Sequence, residues 1–236
     1  MTRWIASARG HAALARLAAR QLAGRWSWVL ALLPVSWIGW HYLRLAVGWR
    51  PERFEPEDVP AWLIGLPLAV LATGLGVRII GAEIDRRTLE IAYTVPGGSQ
   101  RIWWAKLLAA GAVLLAAEGL LALATFSFLT EFPAWSLYAA WQAAVFYLVL
   151  AMVLSAWFKS EVTAALLAMP LVILGIATSG TRFSPLWNAV QYVESFDRLD
   201  LLAWSVQNHV GYALMIAALI ALAFQRAENR EKMLAG

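Results

Sequence analysis

The chain contains no cysteine. That excludes a disulfide framework, a thiol nucleophile and any cysteine-based metal site. Charge is scarce as well: 14% of the 236 residues are Asp, Glu, Lys or Arg, against 61% hydrophobic. No Gly-x-x-x-x-Gly-Lys-Ser/Thr phosphate loop occurs, so the chain has no nucleotide-hydrolysing motif of that kind and is not expected to be an enzyme. The strict alternation over about ten residues that a membrane β-barrel strand needs is missing too. The net charge of +4 is not a nucleic-acid signature, because the basic residues are distributed by topology. No metal or cofactor bound by this chain is expected.

What the chain has instead is long apolar runs, with a mean hydropathy of +0.62. Six are marked, at about 26–48, 61–82, 106–128, 135–157, 162–180 and 204–224. At about 1.5 Å per residue, roughly 20 residues cross a hydrocarbon core of about 30 Å. Backbone in lipid must satisfy its own hydrogen bonds, so such runs are helices. The expected fold is therefore all-α: a six-helix transmembrane domain over 26–224, preceded by an N-terminal interfacial helix (1–25) and followed by a tail (225–236). No cleavable signal peptide is expected, because the first run starts only near Trp26 and is long enough to span.

Orientation follows from the Lys and Arg near the run ends. One side holds Arg3, Arg9, Arg16, Arg20, Arg25, Arg86, Arg87, Arg101, Lys106, Lys159, Arg226, Arg230 and Lys232. The other holds Arg44, Arg50, Arg53, Arg182 and Arg198, and its first loop is acidic through Glu52, Glu55, Glu57 and Asp58. Both termini are thus expected in the cytoplasm. Over residues 7–24, Arg9, Arg16 and Arg20 share one helical face opposite Leu14, Ala18 and Leu22, the pattern of a helix lying on anionic headgroups; a basic tail that only sets topology is the simpler reading. Most of the fourteen Trp, Trp103 and Trp104 among them, sit near run ends, where aromatic belts form.

Some residues interrupt the runs. Pro34, Pro67 and Pro170 lie inside them, and proline removes a ladder hydrogen bond; Pro34 and Pro170 are hinge candidates, or ordinary irregularities of a bundle. Glu118 is the carboxylate set well inside a run, and such groups mark ion or proton sites or pair with buried bases. His41 and Arg78 are its candidate partners, and a protonated structural Glu is the alternative. Small residues at four-residue spacing (Gly65, Ala69, Thr73; Ala213, Ala217, Ala221) suit close helix packing. In 181–203, Phe183, Leu186, Trp187, Val190, Tyr192, Val193 and Phe196 suggest short helices at the outer surface, with Pro185 after Ser184 as a helix start.

The densest charge lies between the second and third runs. A single cytoplasmic helix is expected over 83–96, on which Glu83 and Arg87, and Arg86 and Glu90, are spaced for pairing, while Leu89, Ile91, Ala92 and Val95 provide an apolar side. Pro96, Gly97 and Gly98 end that helix, and Ser99 is a candidate cap for the next. A short amphipathic helix joined stiffly to two spans is a mechanical handle.

Here the chain resembles the permease subunits of ABC-2 type transporters. These carry an acidic residue, then Gly-Thr-Leu-Glu, a short apolar run, Pro, and Gly-Lys at the next span. The corresponding residues are Glu83, then Arg87, Thr88, Leu89 and Glu90, then Ile91 to Val95, Pro96, and Ala105 with Lys106. Arg87 and Ala105 stand where the family has glycine. The N-terminal amphipathic segment, six spans and outer hydrophobic segment before the last span fit the same plan. The resemblance implies a dimeric membrane domain of an exporter in a bacterial inner membrane, each half served by a separate ATPase subunit that binds ATP and Mg. It implies an ATPase-coupling role for Glu83, Asp85, Arg86, Arg87, Thr88, Leu89 and Glu90. It also places spans one and five at the dimer interface, with Pro34 and Pro170 near the pathway. Beside membrane lipids, the partners implied are the ATPase and a second permease subunit.

Other classes remain. A secondary carrier would use Glu118 for ion or proton coupling, though no internal repeat of the kind such carriers show is evident. An intramembrane serine protease would need Ser179 and His209 within hydrogen-bond reach. A non-transporting membrane subunit, sensing or scaffolding, also fits the plan.

Overall fold

A computed structural model describes residues 27–49, 54–94, 98–187, 192, 197–229, 231 and 233. The expected interfacial helix over 1–25 lies outside the described residues. Among those described the chain is all-helical, with no strand. The helices are α1 (Ser27–Ala46), α2 (Gly65–Asp85), α3 (Leu89–Thr94), α4 (Ser99–Phe128), α5 (Trp135–Phe158), α6 (Glu161–Ala177) and α7 (Arg198–Glu228). A single π-type turn, Val59–Leu63, feeds α2.

Four helical segments are long and apolar enough to cross a membrane: Val59–Asp85, Ser99–Phe128, Trp135–Phe158 and Arg198–Glu228. Helix α6 is apolar but has 17 residues, shorter than the expected run of 162–180, because the chain turns at Thr178. Conversely, α4 starts at Ser99 rather than 106, and α7 runs from Arg198 to Glu228 rather than 204–224. Both gain a polar overhang that hydropathy does not register.

Helix α2 is the axis of the bundle. Of its spanning window 78% is buried, against 22% for α7. It packs chiefly on α5, with α6 and α4 beside it and α1 against α4; α7 packs on α5. Close approach of α2 and α5 depends on Gly76, where a Cβ would overlap the Leu148 carbonyl. Thr73 returns its hydroxyl to Ala69 O at 2.9 Å, so a polar side chain sits fully buried without a partner from another helix. The small residues Gly65, Ala69 and Thr73 do face the core, but Ala213, Ala217 and Ala221 on α7 are exposed, contrary to the packing role expected of them. Pro67 falls in the first turn of α2, where a missing N–H costs little, so it does not break the span.

The proline readings divide. Helices α1 and α6 are continuous through Pro34, which is buried, and Pro170, which is exposed. Trp40, Trp49, Trp62, Trp104, Trp135 and Trp157 are exposed, as anchoring requires, but Trp103 is fully buried. Around Pro185 the chain makes turns up to Trp187 rather than starting a helix. Contacts of Asp85 with Glu161, Tyr93 with Ala227 and Gln100 with Glu228 bring the α2–α4 and α5–α6 junctions and the end of α7 together at one end of the bundle.

Candidate functional site

That end carries the charged segment. The expected single helix over 83–96 is not formed. Glu83 and Asp85 belong to the last turn of α2, and the chain then breaks at Arg86–Thr88 before α3. The break is a helix-terminating motif: Thr88 N–H donates to Glu83 O at 2.9 Å and Arg87 N–H to Ile84 O at 3.0 Å. Arg87 takes the left-handed conformation this requires, at φ 56°. The helical spacing that would pair Glu83 with Arg87 and Arg86 with Glu90 therefore does not exist.

Glu83 turns inward instead. Its Oε1 lies 2.6 Å from Lys106 Nζ, and the Thr88 hydroxyl donates to its other oxygen. Lys106 also donates to Ile79 O at 3.2 Å and lies 5.6 Å from the centre of the buried Trp103 ring. With 2% exposure for Lys106 and 16% for Glu83, this is a buried ion pair whose remaining hydrogen bonds are largely met. Lys106 is thus a core residue rather than the interface marker expected. Glu83, Thr88 and Leu89, the last 4% exposed, are internal supports.

Further contacts fix the segment to other helices. Asp85 Oδ2 accepts the Glu161 backbone N–H at 3.1 Å, and Ser160 Oγ accepts that of Thr163 at 3.3 Å. Helix α6 is therefore capped partly by its own sequence and partly by α2. Burial holds the Glu161 carboxyl above the usual carboxylate range; nearby Arg78 pulls against this and Asp85 adds to it. Tyr93 OH on α3 donates to Ala227 O at 2.5 Å, and the Gln100 amide bonds the Glu228 carboxylate. Gly98, at φ 83°, is the N-cap of α4, with Ser99 buried behind it, so Ser99 is not the cap expected. Left facing outward are Asp85, Arg86, Arg87 and Glu90.

The remaining candidates lie elsewhere. Glu118 is 6% exposed in the middle of α4, and its Oε1 has no hydrogen-bond partner. No hydrogen bond or ion pair joins it to His41 or Arg78 among the described residues. Thr125 Oγ1, seven residues on along the same face, is likewise buried without a partner. Ser179 and His209 are not joined by a hydrogen bond: His209 Nδ1 meets Gln142 Oε1 at 2.5 Å, and Gln142 Nε2 donates to His209 O at 2.7 Å. The structure therefore places the expected base against an amide, not against a nucleophile.

The Glu83–Lys106 pair is what sequence reasoning missed. Its members are 23 positions apart, and no periodic signal links them. The one available hint was that Lys106 stands against the start of an apolar run. No protein-family model matches the chain, and comparisons with curated proteins and with solved structures return no match.

Proposed function

We propose that this chain is the permease subunit of an ATP-driven ABC-2 type exporter. It would have six spans, work as a dimer with both termini in the cytoplasm, and be driven by a separate ATPase that docks on the 85–94 segment. The observation that carries this reading is mechanical. An exposed charged surface, Asp85, Arg86, Arg87 and Glu90, rests on buried anchors in α2 and α4, and also ties α2 to α6 and α3 to α7. A push on that surface is delivered to four helices at once. The left-handed turn at Arg87 also supplies a physical reason for glycine at this position of the family motif, since glycine adopts it without strain.

The test is purification of the complex from native membranes. An ATP-hydrolysing subunit is expected to co-purify, with activity dependent on the permease. Arg86→Glu and Glu90→Ala are expected to lower that dependence at least several-fold while leaving the permease inserted and folded. A chain that purifies without an ATPase, or a complex whose coupling is unchanged in both variants, would count against the docking role.

A further inference from the structure

The opposite end of the bundle holds a recess of about 310 Å³ between the turn over 178–187 and α7. It is lined by Arg182, Phe183, Trp204, Asn208, Gly211 and Tyr212, among others. The backbone on its loop side is held firmly. Asn208 Nδ2 donates to Arg182 O at 2.7 Å and Ser184 O at 3.0 Å, and Tyr212 OH donates to Phe183 O at 2.7 Å. Over this fixed backbone the Arg182 guanidinium lies 5.0 Å from the Phe183 ring centre and 5.5 Å from that of Trp204.

Arg182 is exposed, and no salt bridge neutralises it among the described residues. Aromatic faces orient a guanidinium without cancelling its charge. Beyond Gln207 and Gly211, which also line a second recess, the outer face of α7 continues as an apolar track of Leu202, Val206, Val210 and Leu214. All four are more than half exposed. One oriented cation at the rim of a small recess, with an apolar track leading away along a helix, matches an anionic head joined to an acyl chain.

We infer that this recess binds the phosphodiester head of an anionic phospholipid, with Arg182 as the charged contact and the chains laid along α7. The inference does not depend on the transport reading. A zwitterionic lipid has the same chains and the same phosphate but brings a cation toward Arg182, so the site discriminates by charge. Gly211 gives a clean means of closing it, because a Cβ there meets no atom within 4 Å and a larger side chain enters the recess rather than the core.

The experiment reconstitutes the full chain in phosphatidylcholine nanodiscs containing a minor fraction of bromine-labelled lipid, and reads quenching of Trp204 as the difference between wild type and Trp204→Phe. Brominated phosphatidylglycerol is expected to quench this signal several-fold more than brominated phosphatidylcholine. Arg182→Gln, which keeps the backbone carbonyl that Asn208 holds, is expected to equalise the two lipids, and Arg182→Lys to retain most of the preference. Gly211→Leu is expected to abolish the preference with an unchanged melting temperature. Glycerol phosphate, a head without chains, is expected not to compete. Equal quenching by the two lipids in wild type, or an undiminished preference in Arg182→Gln or Gly211→Leu, overturns the inference; so does full competition by glycerol phosphate, which would make the ligand a free anion.

Discussion

The two ends of the bundle are fastened by different chemistry. At the charged end two ties join side chain to side chain, Glu83 with Lys106 and Gln100 with Glu228, beside the backbone contacts of Asp85 and Tyr93. At the other end neutral side chains mostly hold backbone carbonyls. Ser184 Oγ donates to Gly175 O at 2.7 Å, Trp37 Nε1 to Trp62 O at 3.1 Å, and Asn208 and Tyr212 fasten the turn over 178–187. A buried ion pair is costly to desolvate and sensitive to loss of either member. A neutral donor on a carbonyl is a modest, local fastening. The difference sets a charge-dependent fastening at one end against local, neutral fastenings at the other.

The largest expected effect follows directly. Lys106→Met leaves Glu83 partly buried with only Thr88 and distant Arg86 to support its charge. Breaking a buried pair from one side costs about 3–5 kcal/mol, and the residual exposure of Glu83 puts this variant at about 3. Adding Glu83→Gln removes the orphaned charge, so the double variant is expected to recover most of the loss. Reversible unfolding in detergent micelles measures both. If the double variant is no better than the single one, the cost is packing around Trp103 and the electrostatic account of this end fails.

At the other end the corresponding change is Asn208→Ala. It removes one amide from two carbonyls, and the expected cost is about 1–2 kcal/mol. The effect should also be local, with faster amide exchange confined to residues near Arg182, Phe183 and Ser184 and little change at α3. A cost equal to that of Lys106→Met, or exchange that spreads to the charged end, would erase the distinction between the two ends.

How far the sequence reveals this depends on what each signal measures. Hydropathy locates α5 nearly to the residue, 135–157 against Trp135–Phe158, because that helix is apolar to both ends. It misses the first seven residues of α4 and the first six of α7, where Gln100, Arg101, Arg198 and Asp200 extend the helix as polar overhang. Small-residue spacing carries no direction: Ala69 and Ala217 belong to like patterns, yet one is buried and the other exposed. Of the charged segment, its exposed Arg86 and Glu90 were legible from composition alone. The inward turn of Glu83 was not, because it depends on Lys106 being brought alongside by tertiary packing. The helix break was hidden for a different reason, since arginine is not a residue that announces a left-handed backbone.

That break has a counterpart at the other end, which gives the finest comparison. Helix α1 ends with Gly48 N–H on Leu45 O at 3.1 Å and Trp49 N–H on Arg44 O at 3.0 Å. Gly48 is left-handed at φ 75°, so the hydrogen-bond pattern is the same as at Arg87 with glycine in the critical place. A side chain in this conformation costs about 1–2 kcal/mol, whereas glycine costs about 0.4–1 kcal/mol more in unfolded-chain entropy. Arg87→Gly also gives up a cation near a helix C-terminus, worth about 0.3–1 kcal/mol. These terms nearly cancel, and the variant is expected within about 0.5 kcal/mol of wild type. Gly48→Arg, with no Cβ obstruction within 4 Å, meets the conformational cost and gains the same C-terminal attraction, so it too is expected to be small and destabilising by less than about 1 kcal/mol. Arg87→Gly nevertheless removes an exposed charge from the surface proposed to meet an ATPase. A variant of unchanged stability whose ATPase coupling falls therefore separates the two roles of Arg87, as a turn former and as a contact. Unchanged coupling would leave it as a turn former alone, and Arg86 and Glu90 would carry the docking.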